Sequence, residues 1–199
     1  TAQSSNQALV PDANLALSGS GADRSLVVTP RPDSNSTGDT GPATITISAS
    51  DGTTTTSASF QLGVSAVNDA PSISTVATTT IDEDSATDPL SISISDIESA
   101  GNDLTLTARS SNPALIPDAN LSLSGTGTSR SLELSPRPDS SGSATITLTV
   151  SDGALTASAD LSVTVTPVND PPVATKDDVT TAEDTAATID VLANDSDVE

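Results

Sequence analysis

The chain repeats itself at a spacing of about one small domain, and this limits its fold more than any single residue does. The run from Thr107 to Gly153 is an edited copy of the run from Thr1 to Gly52. Pro-Arg-Pro-Asp-Ser recurs unchanged at Pro30–Ser34 and Pro136–Ser140, an offset of 106 residues. The offset falls to 101 at Asp51-Gly52 and Asp152-Gly153, because the first copy carries five extra residues around Asn35 to Gly41. A period of about a hundred residues is too long for one solenoid turn and fits a tandem array of whole domains. Such arrays supply reach, spacing and many-point attachment rather than chemistry.

Within a copy the apolar residues alternate with Ser and Thr. Leu90, Ile92 and Ile94 share one face, as do Leu104, Leu106 and Ala108, then Leu121 and Leu123, then Leu132 and Leu134. Ile146, Leu148 and Val150 follow, and the last run carries Ala157, Ala159, Leu161, Val163 and Val165. A two-residue period marks half-buried strands, and the Pro, Gly, Asn and Asp between the runs mark turns. With an opening strand over Ser72–Thr78 the count is seven. The expected fold is all-β: tandem seven-stranded Greek-key β-sandwiches of immunoglobulin-like type. The expected domains are a partial repeat over 1–69 lacking its first two strands, a complete repeat over 70–170, and the first two strands of a third over 171–199.

Composition removes several functions. With 27 acidic against 6 basic residues the net charge is −21, which excludes nucleic acid or an anionic membrane surface as a partner. The chain has no His and no Cys, so nucleophilic triads and the usual zinc ligands are absent. Phe60 is its one aromatic residue, too little for a stacking sugar platform, and a two-carboxylate glycosidase is the only acid–base chemistry left. The expectation is no enzyme and no catalytic residue. No apolar run is long enough to insert in a membrane. The Thr runs at 53–56 and 78–80 are read as exposed strand, and Arg137 is read as a local partner of Asp139.

The acidic residues fall into motifs. Asn68-Asp69-Ala70-Pro71 and Asn169-Asp170-Pro171-Pro172 sit where one repeat gives way to the next. Glu83-Asp84, Asp96-Ile97-Glu98 and Asp152-Gly153 follow the first, and Glu183-Asp184 and Asp197-Val198-Glu199 follow the second. This order resembles the cadherin-like repeats of bacterial surface adhesins; cadherins carry an early acidic residue, an Asp-x-Asp pair after the second strand, an Ala-x-Asp-x-Gly before the last strand and an Asp-x-Asn-Asp-Asn-x-Pro linker. Glu83 or Asp84 matches the first, Asp96 and Glu98 the second, Asp152 the third, and Asn169 with Asp170 the fourth. Two features depart from the pattern. The linkers lack the leading Asp, and Asp-Arg-Glu is missing, with Asp33 and Asp139 the nearest candidates.

The resemblance implies calcium as the cofactor, at fewer or weaker sites than in animal cadherins. Calcium takes six to eight hard oxygens, and Asn68, Asp69, Asp96, Glu98 and Asp152 would offer several around one joint. Glu83, Asp84, Asn169, Asp170, Asp197 and Glu199 complete the expected metal set. Asp118, Asn120, Asp139 and Asp160 are instead read as turn formers that bond nearby backbone. The expected role is a calcium-stiffened stalk of a secreted bacterial surface protein, extracellular or on the cell surface, serving adhesion, biofilm or surface attachment. Its partners would be neighbouring repeats, with other copies of itself or surface glycans as further possibilities. Two alternatives stand beside it. One is a fibre in which residues 171–199 of one copy complete residues 1–69 of the next, burying Ile189 and Val191 against Ile45 and Ile47. The other is a calcium-dependent glycan-binding module.

Overall fold

A computed structural model describes residues 1–37 and 41–198. The chain forms two compact units, Thr1–Asp69 and Ala70–Glu199. The first holds β1 (Ala2–Ser4), β2 (Leu15–Ser18), β3 (Ser25–Val28), β4 (Ala43–Ser50) and β5 (Thr55–Leu62). The second holds β6 (Ser72–Ile73), β7 (Thr79–Asp82), β8 (Leu90–Ser95), β9 (Thr105–Ser110), β10 (Leu121–Thr126), β11 (Ser129–Leu134), β12 (Gly142–Ser151) and β13 (Thr156–Thr166). The only helical elements among the described residues are two three-residue 3-10 turns, Asp12–Asn14 and Asp118–Asn120. The molecule is all-β.

The internal repeat appears in the strand register. Leu15 faces Val28 across β2–β3, and Leu121 faces Leu134 across β10–β11. Ile45 faces Phe60 across β4–β5, and Ile146 faces Leu161 across β12–β13.

In the second unit two sheets lie face to face, β10-β11-β8-β6 and β7-β13-β12-β9. Ile92, Ile94, Leu132, Leu134, Ile146, Leu148, Val150, Leu161, Val163 and Val165 form the buried core between them. These are the residues that the alternation assigns to the inner face. Burying each such side chain contributes about 1.5–3 kcal/mol, so an aliphatic core suffices without aromatics.

The structure corrects the strand count. The expected opening strand is two strands separated by Ser74–Thr78. β6 pairs antiparallel with β8, while β7 crosses to the other sheet and runs parallel to β13. Parallel pairing at a sheet edge leaves one side of β7 to solvent, which suits its Thr-rich sequence.

The core also holds two adjacent residues that no alternation predicts. Leu115 and Ile116 lie in the loop between β9 and β10 and are both buried, as are Leu9 and Val10 in the first unit. The loop turns them inward by bonding itself: Ile116 N–H donates to Asn112 O (2.9 Å) and Ser110 N–H to Asp118 Oδ1 (2.8 Å).

After β13 the backbone of Val173 and Ser196 forms an isolated bridge, Val173 N–H to Ser196 O at 2.8 Å and Ser196 N–H to Val173 O at 3.1 Å. It is the repeat equivalent of the Ser72–Ser95 pair that joins β6 to β8. Ile189 and Val191 are exposed in this chain.

Candidate metal centre

The sandwich of the second unit has two ends, and acidic residues lie at both. One end carries the loop after β8 and the β12–β13 turn, because Ser95 pairs with Ser72, and Ser151 pairs with Thr105 and Thr156. The other carries the loops that follow β7, β11 and β13, because Asp82 pairs with Thr166 and Thr87 N–H donates to Leu134 O (3.0 Å).

At this second end three carboxylates converge. Asp84, Asp139 and Asp170 each place a carboxylate oxygen within 4.8 Å of the others. They come from three segments far apart in sequence. Asp84 follows β7, where Glu83 N–H extends the ladder to Thr166 O (2.9 Å). Asp139 lies between β11 and β12, and its N–H donates to Asp84 Oδ1 (3.2 Å). Asp170 follows β13 in the linker. Asp84 and Asp139 both have left-handed backbone, φ 62° and 52°. Asp is among the few residues that tolerate this conformation, because its short side chain can bond locally. Their repeat counterparts Asp184 and Asp33 share it, with φ 62° and 55°.

The cluster is crowded electrostatically. Burial, followed by the charges of Asp139, Asp84 and Glu83, pushes the Asp170 carboxyl above the usual carboxylate range. Desolvation and like charge both disfavour the ionised form. Asp139, Asp170, Pro171, Val173, Ser196, Asp197 and Val198 line a shallow cavity beside the cluster. The Val173–Ser196 bridge thus holds Asp197 next to the linker acid.

The expected ligands distribute as follows. Asp84 and Asp170 meet, with Asp197 lining the adjacent cavity. Glu83 does a different job from its neighbour: it is buried, and its Oε1 accepts Val168 N–H (2.9 Å), tying the linker to β7. Asn169 and Asn68 each donate a side-chain N–H to the carbonyl of the Asp that follows, at 2.8 and 3.1 Å. Asp96 and Glu98 share one loop at the opposite end. There Asp96 Oδ1 accepts Glu98 N–H (3.0 Å) and Ser99 N–H (2.6 Å), and its Oδ2 is buried with no hydrogen-bond partner. Asp152 Oδ1 accepts Ala154 N–H (2.7 Å) and Leu155 N–H (2.6 Å) in the β12–β13 turn. Asn68 and Asp69 close the first unit. Glu199 lies outside the described residues.

Asp139 is the cluster residue that the sequence reading left among the turn formers. Its expected ion pair with Arg137 is not among those formed by the described residues, and its carboxylate faces two other acids. A signal was present: Pro-Arg-Pro-Asp-Ser is unchanged in both copies, and Pro on the N-terminal side fixes the approach to Asp. Asp118 and Asn120 do bond backbone, but of residues distant in sequence: Asp118 Oδ1 accepts Ser110 N–H (2.8 Å) and Asn120 Nδ2 donates to Ser135 O (3.1 Å). Asp160 sits mid-strand instead and accepts Thr147 Oγ1–H across β12–β13 (2.7 Å).

Calcium fits the donor set. Two oxygens bound to one ion at ~2.4 Å lie no more than ~4.8 Å apart, and the oxygens of the three carboxylates all lie within 4.8 Å of one another. Three carboxylates offer up to six hard oxygens, and an ion among them would offset their repulsion.

A chimeric titin Z1Z2 module is similar at 15% identity and a TM-score of 0.38, over 77% of this chain and 73% of that one. Titin domain M7 aligns at 20% identity and a TM-score of 0.40, over 51% and 99%. The N-terminal Ig1-2 module of the Drosophila receptor protein tyrosine phosphatase DLAR aligns at 14% identity and a TM-score of 0.39, over 54% and 57%. No curated protein matches the chain in sequence. The model of the bacterial Ig domain matches residues 68–166 and again residues 169–199, so the chain belongs to the bacterial Ig domain family.

Proposed function

We propose that the chain is a calcium-stiffened stalk segment of a secreted bacterial surface protein, serving adhesion or surface attachment outside the cell. Domains of this family are typically structural parts of surface proteins rather than catalysts. No helix among the described residues is long and apolar enough to cross a membrane. The observation that carries the calcium reading is the convergence of Asp84, Asp139 and Asp170 at the end of the second unit that leads into the linker.

Bound there, calcium supplies charge neutralisation and a cross-link. Asp84 and Asp139 would fix the ion to the sandwich, Asp170 to the linker, and Asp197 of the following repeat lines the cavity beside them. The linker would then be tied down at a point where Glu83 already holds Val168. Pro171 and Pro172 restrict the backbone next to it, since Pro fixes φ and constrains the preceding residue. Stiffness would come from these restraints acting together.

The test is thermal unfolding of the full chain in excess calcium and in chelator, with Asp139→Asn alongside. Asn accepts the left-handed backbone as Asp does, so only the charge changes. The expected result is a calcium-dependent rise in melting temperature that Asp139→Asn largely removes. Superimposable curves in calcium and chelator for the unmodified chain would end the reading.

A further inference from the structure

The outer face of the sheet β7-β13-β12-β9 carries a row of three polar side chains from three strands. Thr147 of β12 stands opposite Arg109 of β9 on one side and Asp160 of β13 on the other. Ala108, Leu148 and Leu161, each the next residue along its strand, pack on the core, so the row itself faces outward. Arg109 is exposed and has no ion pair among the described residues. Thr147 Oγ1–H donates to Asp160 Oδ1 (2.7 Å), which leaves the hydroxyl lone pairs and the second oxygen of the exposed Asp160 carboxylate as acceptors. Thr107, Ser110, Ser111 and Thr149 join Arg109 and Thr147 around a shallow depression on this face.

The first repeat has the same row without the charges. Gln3 faces Thr46, and Thr46 faces Ser59, at the positions of Arg109, Thr147 and Asp160. Neutral residues at both ends of the row are therefore compatible with this strand register, and the two charges are not needed to form it. Nor do the charges serve each other: their backbones stand two strands apart, about 10 Å at the usual strand spacing, with Thr147 between them. A cation, a hydroxyl and an anion in line suit a ligand that brings one carboxylate with hydroxyl donors beside it. A uronate sugar is such a ligand. It needs no aromatic platform, because Arg pairs a carboxylate through two parallel hydrogen bonds.

We propose that Arg109, Thr147 and Asp160 bind an acidic saccharide, with its carboxylate on the Arg109 guanidinium and its hydroxyls on Thr147 and Asp160. The proposal rests on the attachment reading for its role and gives that reading a partner. The site shares no residue with the Asp84, Asp139 and Asp170 cluster and uses no cation. Its test is therefore run in chelator, and its failure leaves the calcium test unaffected.

The experiment is amide NMR of the full chain titrated with tetragalacturonate, with a neutral galactose tetramer and with tetraglutamate. Tetragalacturonate should give saturable shifts at Arg109, Thr147 and Asp160 and none at Gln3, Thr46 and Ser59. Arg109→Gln installs the residue that the first repeat carries, so it should leave the melting temperature unchanged. It should weaken binding about tenfold or more, the loss of a charge-assisted pair. Asp160→Ser should also weaken binding, although it removes a negative charge; attraction between charges alone would give the opposite. No saturable shift in the row, unchanged affinity in Arg109→Gln, or tighter binding by Asp160→Ser would overturn the proposal. So would equal affinity for the neutral tetramer or for tetraglutamate.

Discussion

The two ends of the second sandwich use the same residue type in opposite ways. At the end bearing the β8–β9 loop and the β12–β13 turn, Asp96 and Asp152 each direct one carboxylate oxygen at two backbone N–H groups of their own turn. At the linker end Asp84, Asp139 and Asp170 face one another. The first arrangement holds one oxygen of each carboxylate within its own turn, although Asp96 Oδ2 stays buried without a hydrogen-bond partner. The second concentrates three carboxylates, a charge that a cation or protons would offset. An acidic motif therefore reads as a turn or as a ligand according to whether its backbone donors are within reach, and the motif alone does not reveal which.

The largest expected difference between the ends is the response to calcium. At a free concentration a hundredfold above the dissociation constant, binding to the native state adds about 2.7 kcal/mol. For a domain of this size that is on the order of 10–20 °C in melting temperature. Asp139→Asn and Asp170→Asn should each remove most of the shift, and Asp152→Ala should leave it intact. Calorimetric melts of the three variants with calcium and with chelator decide this, and a calcium response that follows Asp152 instead would break the comparison.

The next effect belongs to the opposite end. A Cβ added at Gly101 would lie 2.6 Å from Gly127 C and 2.7 Å from Thr128 N, both backbone atoms. Asn102 Oδ1 accepts Gly127 N–H (2.7 Å) and Arg130 Nη2 donates to Gly101 O (2.9 Å), so the loop is held against the hairpin it would strike. Gly101→Ala should cost about 1–3 kcal/mol, as forced overpacking does. The loss should be the same in calcium and in chelator, measured by denaturant unfolding.

Smaller still is the loss of a turn. Asp152→Ala removes an acceptor for two N–H groups and should destabilise by about 1 kcal/mol in either buffer. Asp139→Asn removes one of three like charges, so in chelator its melting temperature should equal or exceed that of the unmodified chain. Destabilisation by Asp139→Asn in chelator as large as that by Asp152→Ala would show that Asp139 is only another turn former.

The smallest effect is on pH. Because the Asp170 carboxyl is raised in the folded state, the native chain takes up its proton before the unfolded chain does. In chelator, the contribution of this group to stability should therefore increase as pH falls from about 7 toward the unfolded carboxylate range. Asp51 and Asp12 in the first unit shift the other way. Asp51 is lowered by Thr54 and Thr53 N–H groups, and Asp12 by the Gln7 side chain and the Ser4 N–H. Their stabilisation is present above the unfolded pKa and is lost as pH falls through their folded values. Melts of the unmodified chain and Asp170→Asn across this range should differ most near neutrality. Parallel pH profiles would count against crowding at Asp170.

How much of this was legible in the sequence follows from the range of the interactions involved. The inner faces of β8 to β13 could be read because alternation is a local property of a strand against one core. Leu115 and Ile116 could not, since two adjacent buried residues break alternation and are turned inward by Asn112 and Asp118. The division of the opening strand was hidden because its cause is the parallel partner β13, more than eighty residues later. In the candidate site, Asp84 and Asp170 carry recognisable motifs. Asp139 lies in the repeated Pro-Arg-Pro-Asp-Ser run, which reads as a turn, and it joins them only when the loop after β11 closes on the loop after β7. The separate roles of Glu83 and Asp84 depend on one buried carboxylate meeting Val168 N–H, which neighbouring positions in a sequence do not disclose.

The most direct test of the contrast between the ends is a residue-resolved calcium titration of the full chain by amide NMR. The account predicts that, within the second unit, the largest shifts fall at Asp84, Asp139 and Asp170, with Asp197 following. Glu98, Ser99, Ala154 and Leu155, whose N–H groups already hold Asp96 and Asp152 oxygens, should move least. Largest shifts at those four amides, or no saturable shift at Asp84, Asp139 and Asp170, would contradict it.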